Sequence, residues 1–161
     1  MSDKTPMTSR SHKFLQEELQ RLKSVERPKA SQAIAEARAH GDLSENAEYD
    51  AAKEHQGMLE ARIRQLESRL GTAMVVEISK LSGTTVVFGA TVELLDLESD
   101  AKRKVTIVGE DEANADKGLI SYLSPLARAL IGKRKDDVVA VNLPSGVREY
   151  EVSSVCFVAE Y

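Results

Sequence analysis

The sequence is poor in the residues that usually carry chemistry, and each shortage excludes something. A single cysteine among 161 residues rules out an internal disulfide. That cysteine, Cys156, lies in the apolar run VSSVCFVAEY without metal-ligating neighbours, and is expected to fill core. The C-terminal half holds no Ser-His-Asp set, no glycine-rich phosphate loop and no Cys/His metal spacing, since His12, His40 and His55 all fall in the first part. No apolar run approaches the ~20 residues a membrane-spanning helix needs. The opening MSDKTPMTSR has no apolar signal core, so a cytoplasmic protein with no membrane partner is expected. Basic excess is missing too: the net charge is −4, which argues against a free-standing nucleic-acid binder. With 42% hydrophobic and 30% charged residues, the chain has an ordinary soluble balance, enough for one domain or two small ones.

What is present is a concentration of acid at one turn. Between Glu36 and Glu54 six acids (Glu36, Asp42, Glu45, Glu48, Asp50, Glu54) face two bases (Arg38, Lys53). His40-Gly41 is expected to stop one amphipathic helix, and Asp42-Leu43-Ser44-Glu45 to open the next, giving two long antiparallel helices with an acidic tip. Two readings of Asp42 and Glu45 stand side by side. Asp-x-x-Glu at a helix start is a capping box. It is also a pair of carboxylates that can share a hard cation such as Mg²⁺, although two ligands make an incomplete site.

On the first helix Leu15, Leu19 and Leu22, then Ala30, Ile34 and Ala37, recur at helical spacing. Met1–Met7 reads as a disordered lead and Thr8 or Ser9 as a cap. Pro28 predicts a kink or break near Val25–Arg27. Past it the interface is expected to be slim, built on Ala30, Ala33 and Ala37. The return helix should run from about Ser44 to Leu70 with Ala47, Ala51, Met58 or Leu59, Ile63, Leu66 and Leu70 facing its partner. Mixed charges along both helices read as a solvated face with i,i+4 pairs. Gly57, inside the return helix, has no explanation in the sequence.

After Gly71-Thr72 the period changes from 3.6 to 2. Strands are expected at 73–78, 85–97, 103–108, 117–122, 137–142 and 147–157, with Pro144-Ser145-Gly146 turning the last hairpin. One short helix interrupts them, capped by Ser124, begun by Pro125 and ended by Gly132. Asp111, Glu112 and Asp116 read as a solvated acidic loop. The fold class is therefore α+β. Residues 1–75 form an antiparallel coiled-coil hairpin, and residues 76–161 a small antiparallel sheet domain with one helix.

GDLSENAEYDAAKE at the tip resembles the tip motif of the bacterial transcript-cleavage factors of the GreA/GreB family. FLQEELQRLKSVERPKASQAIAEARAHGDL before it, and VVFGATVELLD and LISYLSPLARALIGKRKDDVV after it, resemble the same family, so the likeness covers nearly the whole chain. Ser44 stands where the GreA motif often carries lysine, while the modest basic surface is closer to the GreA branch. The resemblance implies an FK506-binding-protein-like second domain that docks on bacterial RNA polymerase through Ser124 and Pro125, with the hairpin entering the secondary channel. Asp42 and Glu45 would then help hold a Mg²⁺ shared with the polymerase active site, and Arg38 and Lys53 would contact the extruded RNA 3′ end. Tyr49 would stack on a base or pack across the hairpin. The implied protein is a monomer that stimulates the polymerase's own RNA cleavage and has no activity alone. Three other readings stay open: a polymerase inhibitor of the same fold, a coiled-coil adaptor without channel chemistry, and a prolyl isomerase.

Overall fold

A computed structural model describes residues 4–41 and 46–158. The chain divides into two compact units, one built on His12–Ala73 and the other on Pro6–Ser11 together with the chain from Met74 onward.

The helical unit contains α1 (Ser9–Arg21), a single π-helical turn (Leu22–Glu26), α2 (Arg27–Ala39) and α3 (Ala47–Gly71). Of the kink or break expected near Val25–Arg27, the chain shows a change of helix type: a π turn ends at Glu26, just before Pro28. Proline cannot donate to the preceding turn, and the helix absorbs the loss by widening: the Arg27 N–H bonds to the Leu22 carbonyl, five residues back. This wide turn adds one residue to the cylinder and moves the apolar stripe on by one position. A stripe continuing from Leu22 without the insertion would reach Ala33. The buried residues are Ala30, Ile34 and Ala37, the stripe expected from their spacing, while Ala33, expected with them, is exposed.

Opposite them α3 buries Leu59, Ile63 and Leu66, Leu59 and not Met58 taking the position left open between the two, but Ala47 and Ala51, expected on the same face, are exposed. The charges along this pair mostly cross between helices and are not spaced i,i+4. Arg27 grips Glu60 with two bonds of 2.8 and 2.9 Å, Arg62 grips Glu18 with 2.9 and 3.0 Å, and Lys23 meets Glu67 at 2.6 Å. The Arg27 bond holds the Glu60 carboxyl below its ordinary range, and Glu60 in turn raises the guanidinium.

Part of the expected disordered lead Met1–Met7 lies outside the described residues; in the second unit Thr5–Thr8 forms strand β1, paired with β2 (Ala73–Val76). Met7 and Thr8 are buried, and the Thr8 hydroxyl caps α1 by accepting from the Ser11 N–H at 3.1 Å. The same hydroxyl donates to Glu112, so that acid is anchored and not merely solvated. The main sheet comprises β3 (Thr91–Asp96), β4 (Lys102–Val108), β5 (Leu119–Ser121), β6 (Val138–Leu143) and β7 (Gly146–Cys156), in the order β5-β4-β3-β7-β6. It is not wholly antiparallel, because β4 and β5 run parallel. Thr85–Ala90, expected as part of a strand, is irregular and touches the fold through a bridge from Thr85 to Arg134. Between β5 and β6 lies α4 (Pro125–Leu130), whose Leu126, Ala127 and Leu130 are buried with Val92, Val105, Val139 and Val152.

Cys156 is exposed, against expectation. The cause is a bulge. Glu93 pairs with Ser154 but Leu94 with Val152, leaving Ser153 as an extra residue. Before it Tyr150 and Val152 face inward. After it the alternation is inverted, Val155 and Phe157 pack on the core, and Cys156 turns out.

Gly57 lies exposed in α3, and a Cβ there would meet nothing within 4 Å. Neither packing nor strain requires glycine, so Gly57→Ala should raise stability by about 0.5–1 kcal/mol in urea unfolding; an unchanged or lower midpoint would contradict this.

Candidate functional site

The tip is where α2 ends and α3 begins. His40 closes α2, with its N–H on the carbonyls of Ala37 and Arg38, and Gly41 follows at φ +112°, a conformation that suits a residue without Cβ. Asp42 and Glu45, the two candidate metal ligands, lie outside the described residues. The chain on either side of them is held by a helix cap and by links between α2 and α3.

Asn46, not Asp42, is the N-cap of α3. Its backbone is extended (φ −86°, ψ 96°), and its Oδ1 accepts from the Tyr49 N–H at 3.0 Å. The helix thus starts three residues later than the sequence pattern predicts. The Asn46 Nδ2 group donates to the Ala37 carbonyl at 2.7 Å, so one side chain caps α3 and adds a second donor, beside the His40 N–H, to an acceptor at the end of α2. The sequence pattern did not single Asn46 out; an asparagine directly before Ala-Glu-Tyr-Asp was the available signal.

Two more links cross the pair of helices. The Arg38 guanidinium sits 5.7 Å from the centre of the Tyr49 ring. A hydrogen bond from Arg38 is the main reason the Tyr49 phenol is held below its ordinary value. Tyr49 therefore packs across the tip, one of the two roles expected for it. His40 Nδ1 lies 3.0 Å from Glu48 Oε2, both side chains being exposed. Lys53 is exposed and forms no ion pair among the described residues. Among the described residues no group of three metal-ligating side chains comes together.

The second candidate region is the start of α4. The Ser124 hydroxyl accepts from the Ala127 N–H at 3.3 Å and donates to the Ser121 carbonyl at 2.7 Å, while Pro125 occupies the first turn and is exposed. Beside them Leu123, Ile131 and Val87 are about two-fifths exposed, at 39%, 40% and 40%. The segments bearing them are tied together by the Gly132 N–H on the Val86 carbonyl and by the edge-on contact of Phe88 with Tyr122. These three apolar side chains were not legible as surface because scattered apolar residues near a short helix read as core.

Residues 5–75 match the family description "Transcription elongation factor, N-terminal", and residues 81–156 match "Transcription elongation factor, GreA/GreB, C-term". The chain belongs to the GreA/GreB family of transcription elongation factors. It is 57% identical over 155 residues to transcription elongation factor GreA of Xanthomonas axonopodis pv. citri, covering 96% of this chain and 98% of the relative. The corresponding GreA of Phenylobacterium zucineum is 54% identical over 153 residues, covering 95% and 98%. A solved structure of the GreA factor homolog Gfh1 from Thermus thermophilus is 31% identical, covers 95% of this chain and 99% of its own, and superposes with a TM-score of 0.44. No helix among the described residues is long and apolar enough to cross a membrane.

Because the Ser124 hydroxyl serves both as cap and as donor, Ser124→Ala should cost about 1 kcal/mol in urea unfolding, and Ser124→Asp should recover most of it through capping; equal stability of all three would remove the cap role.

Proposed function

We propose that this chain is an elongation factor of the cleavage-stimulating kind. It docks on bacterial RNA polymerase through the α4 region, with Ser124 and Pro125 in contact, and inserts the helical tip into the secondary channel. There it stimulates the polymerase's intrinsic hydrolysis of a backtracked RNA 3′ end and rescues the arrested complex. In this reading α1–α3 act as a coiled-coil hairpin, residues 76–161 as an FK506-binding-protein-like docking module, and the factor works as a cytoplasmic monomer with no nuclease activity of its own.

The observation that carries the reading is the start of α3. The cap there is supplied by Asn46, one residue beyond Glu45, so the helix start is served without a capping box from Asp42 and Glu45. In a member of this family, the beginning of α3 is thus accounted for by Asn46 and makes no call on the Asp-x-x-Glu pair. Asp42 and Glu45 are carboxylates of the class that suits Mg²⁺, an ion that takes oxygen ligands and keeps several waters. Held beside the polymerase's own catalytic Mg²⁺, it would be the second ion of a two-metal arrangement, in which one ion activates the attacking water and the other steadies the leaving oxygen. Two carboxylates do not complete its shell; the polymerase and the RNA phosphate supply the rest. Arg38 and Lys53 flank the acids on the two helices and offer positive charge to that phosphate. Arg38 is oriented by Tyr49, which gives its guanidinium a fixed place without neutralising it.

The test is RNA cleavage in a stalled, backtracked elongation complex. Asp42→Asn and Glu45→Gln remove one formal charge each while keeping polar side chains of the same size. Each should slow stimulated cleavage about 100-fold, the equivalent of ~3 kcal/mol of transition-state stabilisation. Both should compete with the parent for polymerase, and stability should stay within ~1 kcal/mol. Stimulation within about threefold of the parent at limiting Mg²⁺ would remove the metal-ligand assignment.

A further inference from the structure

We infer that Asn46 is a positioning residue for the tip, a clamp that fixes where the chain leaves α2 and enters α3. The inference rests on the function proposed above, and concerns a residue that touches neither metal nor RNA in it. A primary amide carries a donor and an acceptor on one planar end, and Asn46 uses both: the acceptor takes the Tyr49 N–H at 3.0 Å, and the donor reaches the Ala37 carbonyl at 2.7 Å. The orientation of the amide follows from its partners, because an N–H needs an acceptor and a carbonyl needs a donor. Ala37 is itself buried in the seam between the helices, so the clamp is anchored on a rigid point. Capping alone needs only half of this arrangement. Aspartate or serine can accept from the Tyr49 N–H, but a carboxylate cannot donate to the Ala37 carbonyl, and a serine hydroxyl is too short to serve both groups.

The remaining cross-links at the tip converge on the same two helix ends. Arg38, one residue past Ala37, lies against Tyr49, whose N–H is capped by Asn46. His40 reaches Glu48 at 3.0 Å. Asn46 is the member of this set with the greatest constraint, since its two bonds close a short circuit from α2 through one side chain to α3. Freed from the Ala37 carbonyl, the ends of the intervening segment lose a fixed separation. A loss of that separation would act on cleavage and not on folding, because the helices stay held by the buried seam and the arginine pairs.

The experiment compares the parent, Asn46→Ser and Asn46→Asp in the backtracked-complex assay, with competition for polymerase and thermal unfolding measured alongside. Stimulation by the parent establishes the underlying reading, and its absence would overturn that reading and not the clamp alone. Given stimulation, both variants should keep the parent's half-saturating concentration and unfolding midpoint. Their maximal cleavage rate at saturating factor should fall at least tenfold, with a higher Mg²⁺ concentration needed for half-maximal rate. Serine adds no charge, so agreement between the two variants separates lost donation from added negative charge. Rates within threefold of the parent for both would reduce Asn46 to a cap and overturn the proposal. Loss of competition or of the folded state in step with cleavage would make it an ordinary folding residue and overturn the proposal equally. A fall in Asn46→Asp alone would assign the effect to charge, and the clamp would be overturned in that case too.

Discussion

The helical unit depends on phase. An apolar stripe on a long helix drifts around its axis unless something corrects it, and the two helices can stay in contact over many turns only if both stripes keep facing the same line. Here the correction is one extra residue in the wide turn Leu22–Glu26. It brings Leu22 and Ala30 onto the same seam as Ile34 and Ala37, opposite Leu59, Ile63 and Leu66. The proline at position 28 is thus compatible with a continuous helix because the turn before it has already given up the bond that proline cannot make. Around the seam, three cross-helix ion pairs add direction more than energy. Their side chains are partly exposed, with Arg27 at 42% and Glu60 at 34%, and pairs of that kind are worth little individually. Two of them are bidentate, however, and a bidentate arginine tolerates little sliding.

That seam carries through to the tip. Ala37 is its last buried residue on α2, and the Ala37 carbonyl is where Asn46 takes hold. Tyr49 follows one turn into α3 and receives Arg38. The packing of the helices and the placement of the candidate RNA-contacting base are therefore consecutive links of one chain of contacts.

Much of this organisation was readable from residue order, and the misses have physical causes. The change of period at Gly71, the helix begun by Ser124-Pro125 and the hairpin at Pro144-Ser145 rest on local chemistry, and local chemistry is written in the sequence. Cys156 was misplaced because a single inserted residue, Ser153 in the bulge, inverts the alternation of the strand after it, whereas Ala33 was placed on a seam that Ala30, Ile34 and Ala37, read correctly beyond the π turn, already fill. The parallel pairing of β4 with β5 depends on a long-range choice of neighbour. Asn46 was overlooked because Asp42 and Glu45 already satisfied a capping pattern, and two overlapping start signals cannot be ranked without the helix itself. The strand at Thr5–Thr8 escaped because its partner lies almost seventy positions on, at Ala73–Val76.

The proposed function makes Asp42 and Glu45 only part of a metal site, and their affinity for metal alone is the quantity to measure. Titrating Mg²⁺ into the free factor by calorimetry, and into a backtracked elongation complex with and without the factor by cleavage rate, addresses it in one set of conditions. The account predicts no binding by the free protein below the millimolar range, and a clear fall, of about tenfold, in the Mg²⁺ needed for half-maximal cleavage once the factor is present. Tight binding by the free protein, or an unchanged Mg²⁺ requirement in the complex, would contradict it.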